Sequence, residues 1–464
     1  MMFWERSRDM KTLITNGLVI DPANGVHARL DLLLADGKVV AVGEVPAESG
    51  DVRRIDASGK IVCPGFIDLH MHEDPVGSDG HIIYNEERSI FACELRMGVT
   101  TVIAGNCGDN VCNPGDYLDL ADRDGTPVNV GMLAGHTWFR NRAGATDKYA
   151  PATDAQIEEM RRGIENALQR GCVGVSYGLR YVPGLNAREL LQTASPVQGT
   201  DKFVAAHIRD DAAGVFVAAR ELLDLGKELG VSIELSHIGS MAGYGQMAEF
   251  LELVDLYRMQ GLDVKCDCYP YDAFSTALGS TTYDEGWLDR YHCGYDVLEI
   301  CEGKYKGQRC TREIFDETRR DFPDYRTVCH VMLQSDVNLA FDHGGVMLVT
   351  DGTLNDGQGH PRAAGTFPRF LARYVREGSI PMDSAIAMMT TLPAQRLHLE
   401  NKGRLNVGSD ADVVIFDPER VRDCATFEQP VLPPEGIDYV FVGGELAAEN
   451  GKIVSPRCGH AVRR

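Results

Sequence analysis

Two histidines separated by one residue, His70 and His72, lie near the end of the run IVCPGFIDLHMHED at residues 61–74. An apolar, strand-like run alternates its side chains between two faces, so both imidazoles point the same way at its end. Two imidazoles on one face can grip one metal ion. Asp68 and Asp74 are close enough in sequence to accept hydrogen bonds from the rings and orient them. Further ligand-type residues end later apolar runs: Cys107 in AGNCG, His207 in AAHIRDD, His237 in ELSHIGS and Asp351 in LVTDG. Imidazole, thiolate and carboxylate are the donors that a zinc-like ion takes. Taken singly, each is an ordinary polar residue; five apolar runs ending this way point to one shared metal centre. Zinc lowers the pKa of a bound water from ~15.7 to about 7, which supplies hydroxide near neutrality. Asp351 is the candidate general base and acid, placed to take such a water's proton. Its competing role is a helix N-cap before GTLND.

For these residues to meet, their strands must converge. Eight candidate strands lie at 63–72, 100–106, 128–136, 172–179, 203–209, 231–238, 263–271 and 345–352. Helical patterns separate them, as in DAQIEEMRRGIENALQRG, where apolar residues recur at 157, 160, 164 and 168. Eight strand–helix units predict an α/β chain built as a (β/α)8 TIM-like barrel, with working residues at the C-terminal ends of the strands. Both flanks, 12–63 and 403–454, read instead as hairpins broken by Gly, Asn and Asp. The expected organisation is a small β-sandwich domain formed by residues 1–63 and 401–464 around a barrel over 64–400. An insertion over the barrel mouth, at about 276–342, precedes strand eight.

A formal net charge of −22 disfavours nucleic acid and anionic membrane as partners, since both need a basic face. No run of 18 apolar residues predicts a membrane span. The start, MMFWERSRDM, lacks the apolar core of a secretory signal. With that start, an odd count of thirteen cysteines points to a reduced, cytoplasmic protein whose thiols are mostly small buried hydrophobes. The expected partner is a small molecule, and the oligomeric state stays open.

The motifs PGFIDLHMHED, GVTTVIAGNCG, GVSYGLRYVPG, YPYDAFST, TDG and HPRAAGTFPR resemble the D-aminoacylase (N-acyl-D-amino acid deacylase) group of the amidohydrolase superfamily. That resemblance implies hydrolysis of the amide bond of N-acyl-D-amino acids with one or two Zn2+ ions. It places Cys107 where many superfamily members use a modified lysine. By the same analogy Cys107, His207 and His237 hold the tighter metal, and His70, His72 and Asp351 line a weaker position. Arg362, eleven residues after Asp351, would bind the substrate α-carboxylate together with Tyr269 and Ser275. The group often has a lysine two residues after the strand-six histidine, where this chain has Gly239. Arg180 and Tyr181, after strand four, are candidates to face the pocket, Arg180 as the missing cation or as the reader of an acidic side chain. His136 is open between a supporting and a structural role. The alternatives are a cyclic amidase of the dihydroorotase or hydantoinase kind and a catalytically inactive scaffold. The first usually carries the bridging lysine, absent from SYGLRY at the end of strand four.

Overall fold

Eight parallel strands make the central sheet of the computed structural model, which describes residues 10–45 and 52–464. They are Phe66–Asp68, Val99–Ala104, Asn129–Gly135, Gly174–Gly178, Phe203–His207, Ser232–Leu235, Val264–Cys268 and Val346–Leu348, here strands one to eight. Each pairs with the next in chain order, so the expected barrel is present. The first nine residues, within MMFWERSRDM, lie outside the described residues. Strands two and three are buried along their whole length, as a sheet covered on both faces must be. Ile67, Leu69, Ile103, Leu133, Val173, Phe203, Ala205, Met347 and Val349 form one buried cluster drawn from the strands and their ends.

The barrel closes without a full ladder between strands eight and one. A single parallel bridge joins Met71 to Gly352. Beside it the Asp351 amide donates to the His70 carbonyl at 2.7 Å, and the His72 amide donates to the Gly352 carbonyl at 2.9 Å. This seam brings His70, His72 and Asp351 together. Helices follow the periodicity read from the sequence: Asp154–Gln169 buries Ile157, Met160, Ile164 and Leu168, and a capping box of Thr153 and Gln156 starts it.

One expected strand, 63–72, is two. Ile61–Pro64 pairs with Leu18–Asp21 and Val413–Phe416 in a separate sheet, while Phe66–Asp68 pairs with strand two of the barrel. Gly65 is the crossing point. A Cβ there would lie 2.1 Å from Thr100 Oγ1, so only glycine lets the chain pass. The flanking β-structure is a seven-stranded sheet drawn from both ends of the chain, packed on a four-stranded sheet from the N-terminal side. Their shared core includes Ile14, Leu32, Leu34, Val413, Ile415 and Phe441. Between strands seven and eight lies a three-stranded antiparallel sheet of Phe274–Ala277, Leu298–Ile300 and Arg326–Cys329, with helices Trp287–Tyr291 and Arg312–Asp321. No helix among the described residues is long and apolar enough to cross a membrane.

Candidate metal centre and substrate cavity

Every ligand-type residue named from the sequence lies at or within four residues of the C-terminal end of a barrel strand. Three of them, Cys107 (φ 54°), His237 (φ 34°) and Asp351 (φ 47°), hold left-handed backbone. A non-glycine residue adopts that conformation at a cost of about 1–3 kcal/mol and keeps it only where its surroundings enforce it. The surroundings do so here. The Cys107 turn hangs from the Glu73 carboxylate, which accepts from the Gly105 and Val111 amides at 3.0 and 2.9 Å. The Asn106 side chain ties the same turn to the Ile103 and Leu69 carbonyls. The His237 amide donates to Asp267 Oδ1 at 2.5 Å.

The donor atoms converge. Cys107 Sγ lies 3.4 Å from His70 Nε2 and 3.5 Å from His237 Nε2. Asp351 Oδ1 lies 3.5 Å from His70 Nε2 and 3.4 Å from His72 Nε2. A tetrahedral ion with bonds of about 2.0–2.3 Å sets its ligand atoms roughly 3.3–3.8 Å apart. The spacing therefore fits one cation between each set. Two groups form, His70–His72–Cys107–Asp351 and Cys107–His207–His237, each with its donors within 4.8 Å of one another, and they share the cysteine. The buried His207 Nδ1 has no hydrogen-bond partner among the described residues.

The electrostatics suit a cation. Burial lowers His70 to about 3 and His237 to about 4, and it lowers His207 well below the usual imidazole value, so all three rings are neutral, the form that can ligate a cation. Burial pushes the Cys107 thiol up, reinforced by Asp351 and Asp267. A thiolate there requires a positive charge beside it, which a metal supplies. Burial alone would raise Asp351. Arg362 and His72 overcome it and hold the carboxyl well below its ordinary value.

The sequence reading missed the group that aims the rings. Asp68 does not touch a histidine ring; its carboxylate takes the His70 amide at 2.9 Å and the Thr350 hydroxyl at 2.5 Å. Asp74 accepts from Ser89 Oγ and the Ile90 amide at 2.5 and 3.0 Å, at the start of a helix. The orienting carboxylate is Asp267 of strand seven, 3.4 Å from His70 Nδ1. The only sequence trace of this role is the strand pattern of KCDCYPY, which turns Asp267 inward between two cysteines.

A cavity of about 270 Å3 opens on this cluster, lined by His72, Cys107, Tyr181, Ser275, Asp351 and Arg362 among others. A narrower recess of about 20 Å3 beside it is lined by Tyr181, His207, His237, Ser275 and Asp351. Arg362 is 1% exposed. Its Nη2 sits 2.9 Å from Asp351 Oδ2, and its guanidinium lies over the Tyr269 ring at 4.6 Å. Its Nε and Nη1, and the Ser275 Oγ, are buried with no hydrogen-bond partner among the described residues.

Two candidates fall elsewhere. Arg180 is held by Asp211 and Asp210 at 2.9 and 3.0 Å and does not line the cavity, so it is not the replacement cation. His136 is buried 3.1 Å from Glu189 in a cluster with Arg140, away from the metal ligands. The Gly239 position is tight: a Cβ there would meet Cys268 Sγ at 3.0 Å and Met332 Cε at 3.3 Å, so any larger residue must push these side chains back.

Comparison with known proteins finds relatives over nearly the whole chain. A model of the amidohydrolase family matches residues 120–448. The chain is 31% identical to the D-aminoacylase of Alcaligenes xylosoxydans xylosoxydans, over 99% of this chain and 98% of that protein. It is 33% identical to the N-acyl-D-glutamate deacylase of the same organism, over 93% and 92%. The solved N-acyl-D-glutamate deacylase of Bordetella bronchiseptica, complexed with zinc and a phosphonate mimic of the tetrahedral intermediate, is 31% identical. It aligns with a TM-score of 0.86 over 98% of this chain and 99% of that one.

Proposed function

The chain belongs to the amidohydrolase family, and from that premise we propose a zinc-dependent deacylase that cleaves the amide bond of N-acyl-D-amino acids. The observation that carries this reading is the juxtaposition of two features on one cavity wall. Six ligand-type side chains share donor spacings that fit zinc, and Arg362 and Ser275 leave buried donors without an acceptor. A buried donor left unpaired costs about 1–3 kcal/mol. A carboxylate, with two oxygens and a full charge, answers those donors best.

Cys107, His207 and His237 would hold one ion, and His70, His72 and Asp351 would hold a second or assist the first. Zinc held there supplies the Lewis acidity that makes water nucleophilic near neutral pH and polarises the amide carbonyl. The residues of the chain do the rest. Arg362, from the helix after strand eight, takes the substrate α-carboxylate and so fixes the scissile amide relative to Asp351. Asp351 stays ionised through the neutral range because Arg362 and His72 hold its proton affinity down. It accepts the proton of the attacking water and passes one to the departing amine nitrogen. Tyr181, packed on His207 at 4.6 Å between ring centres, walls off the metal side from bulk water. The D-preference follows the relatives; Arg362 and Ser275, which line the cavity, are what would read handedness, with Tyr269 buried beneath the guanidinium.

The test is release of free amino acid from N-acetyl-D- and N-acetyl-L-amino acids by zinc-loaded protein. Hydrolysis of D-substrates, lost in Cys107→Ala together with bound zinc, is the expected result. Turnover of hydantoins or dihydroorotate with none of any linear N-acyl amino acid would overturn the reading.

A further inference from the structure

Two cations on the cavity wall have no task in the reaction above. Lys148 and Arg326 line the same 270 Å3 space as His72, Cys107, Asp351 and Arg362. Lys148 lies in the loop after helix His136–Arg142, and that loop is pinned where the Gly184 amide donates to the Lys148 carbonyl at 2.8 Å. Arg326 opens a strand of the inserted sheet, where it pairs with Ala277, and its backbone amide donates to Glu302 at 2.7 Å. Both side chains are half-buried. Neither forms an ion pair among the described residues, and the buried Arg326 Nε has no hydrogen-bond partner there. The neighbouring arginines differ: Arg180 is matched by Asp210 and Asp211, Arg319 by Asp284, and Arg362 by Asp351. The other carboxylate on this wall, Asp109, accepts from the Asn110 amide. In a chain of net charge −22, carboxylates to neutralise these two cations are plentiful, yet the cavity presents both without one.

We propose that the substrate carries a second carboxylate besides the α-carboxylate, bound by Lys148 and Arg326. The inference rests on the deacylase reading and names its substrate class, an N-acyl-D-amino acid that is a dianion. Arg362 takes the first carboxylate at the metal end. The loop lysine and the insertion arginine take the second, by charge and by the guanidinium's paired donors. The second carboxylate belongs either to an acidic side chain or to a dicarboxylic acyl group.

The experiment measures kcat/KM of the zinc-loaded enzyme for N-acetyl-D-glutamate, N-succinyl-D-methionine, N-acetyl-D-glutamine and N-acetyl-D-methionine. One of the two dianions should exceed its neutral counterpart at least tenfold, and which one locates the second carboxylate. In Lys148→Met and in Arg326→Met that advantage should shrink at least tenfold, chiefly through KM, while Arg326→Lys, which keeps the charge but not the paired donors, loses less of it than Arg326→Met. Lys148 sits in a loop, so its variant decides the question even where Arg326→Met does not fold. Equal or better turnover of the neutral substrates, or an advantage that survives Lys148→Met, overturns the inference and leaves the deacylase reading standing. No hydrolysis of any of the four overturns both.

Discussion

Replacing Asp267 by asparagine tests whether one strand-seven carboxylate sets two metal ligands at once. Its Oδ1 accepts from the His237 amide at 2.5 Å, and its Oδ2 lies 3.4 Å from His70 Nδ1. That second contact assigns the His70 proton to Nδ1 and leaves Nε2, which faces Cys107 and Asp351, free to ligate. An asparagine can keep the bond to the His237 amide, but it presents an N–H to His70 Nδ1. The ring then favours its other tautomer, with the proton on Nε2, where it blocks the metal. Losing a hydrogen bond to a charged group costs about 1.5–3 kcal/mol, or roughly 10- to 150-fold in affinity. Outer partners of metal-bound histidines usually cost about 10–100-fold when removed. The assay is competition for zinc against a chromophoric chelator, with Asp267→Ala as the comparator that carries no wrong donor. Asp267→Asn should weaken zinc at least tenfold and more than Asp267→Ala does. Zinc affinity within threefold of the parent in Asp267→Asn would refute the tautomer argument.

Three further outcomes are expected. Asp351→Asn should lower kcat by about 10²–10⁴ while the protein still binds zinc through Cys107, His207 and His237, measured by steady-state kinetics beside metal content; retained turnover removes Asp351 from proton transfer. Lys402→Met should destabilise by about 3–5 kcal/mol in urea unfolding, because it strips the buried Nζ from Asp412 and Asp410, 2.6 and 3.0 Å away. Burial lowers Lys402 and raises Asp410, but Asp412 and Asp410 reverse the first shift and Lys402 and Lys38 the second, leaving Lys402 raised above 10.5 and Asp410 lowered below 3.8. Asp410's share is lost as pH falls through its folded pKa, and Lys402's as pH rises past 10.5, so the deficit of the variant should be widest between those limits and narrow outside them. Gly239→Lys, which restores the family's residue, should cost about 1–3 kcal/mol by overpacking against Cys268 and Met332 without raising kcat/KM; a more active variant of unchanged stability would show that the pocket has slack there.

The residues whose donor atoms converge were legible because each closes its own apolar run, and barrel geometry sends every such end to one rim. Which atoms meet across that rim was not legible, since it depends on register between strands far apart in sequence. Asp267 is the clearest case. Nothing in KCDCYPY distinguishes a carboxylate that serves strands one and six from one that merely fills the barrel. Asp68 and Asp74 were plausible ring partners by proximity, but the split at Gly65 and the seam with strand eight turned Asp68 toward Thr350 and left Asp74 to a helix start. Arg180 misled for a similar reason. Its charge was visible, while the two aspartates that neutralise it lie thirty residues on, beyond strand five. The inserted sheet reverses the lesson. Its conformation had no reading in the sequence, yet it brings Ser275 and Arg326 to the cavity that the barrel ends open. The barrel therefore sets the reaction and the insertion sets much of what may enter, so exchanging the insertion between relatives should move substrate preference while zinc binding stays with the strand ends.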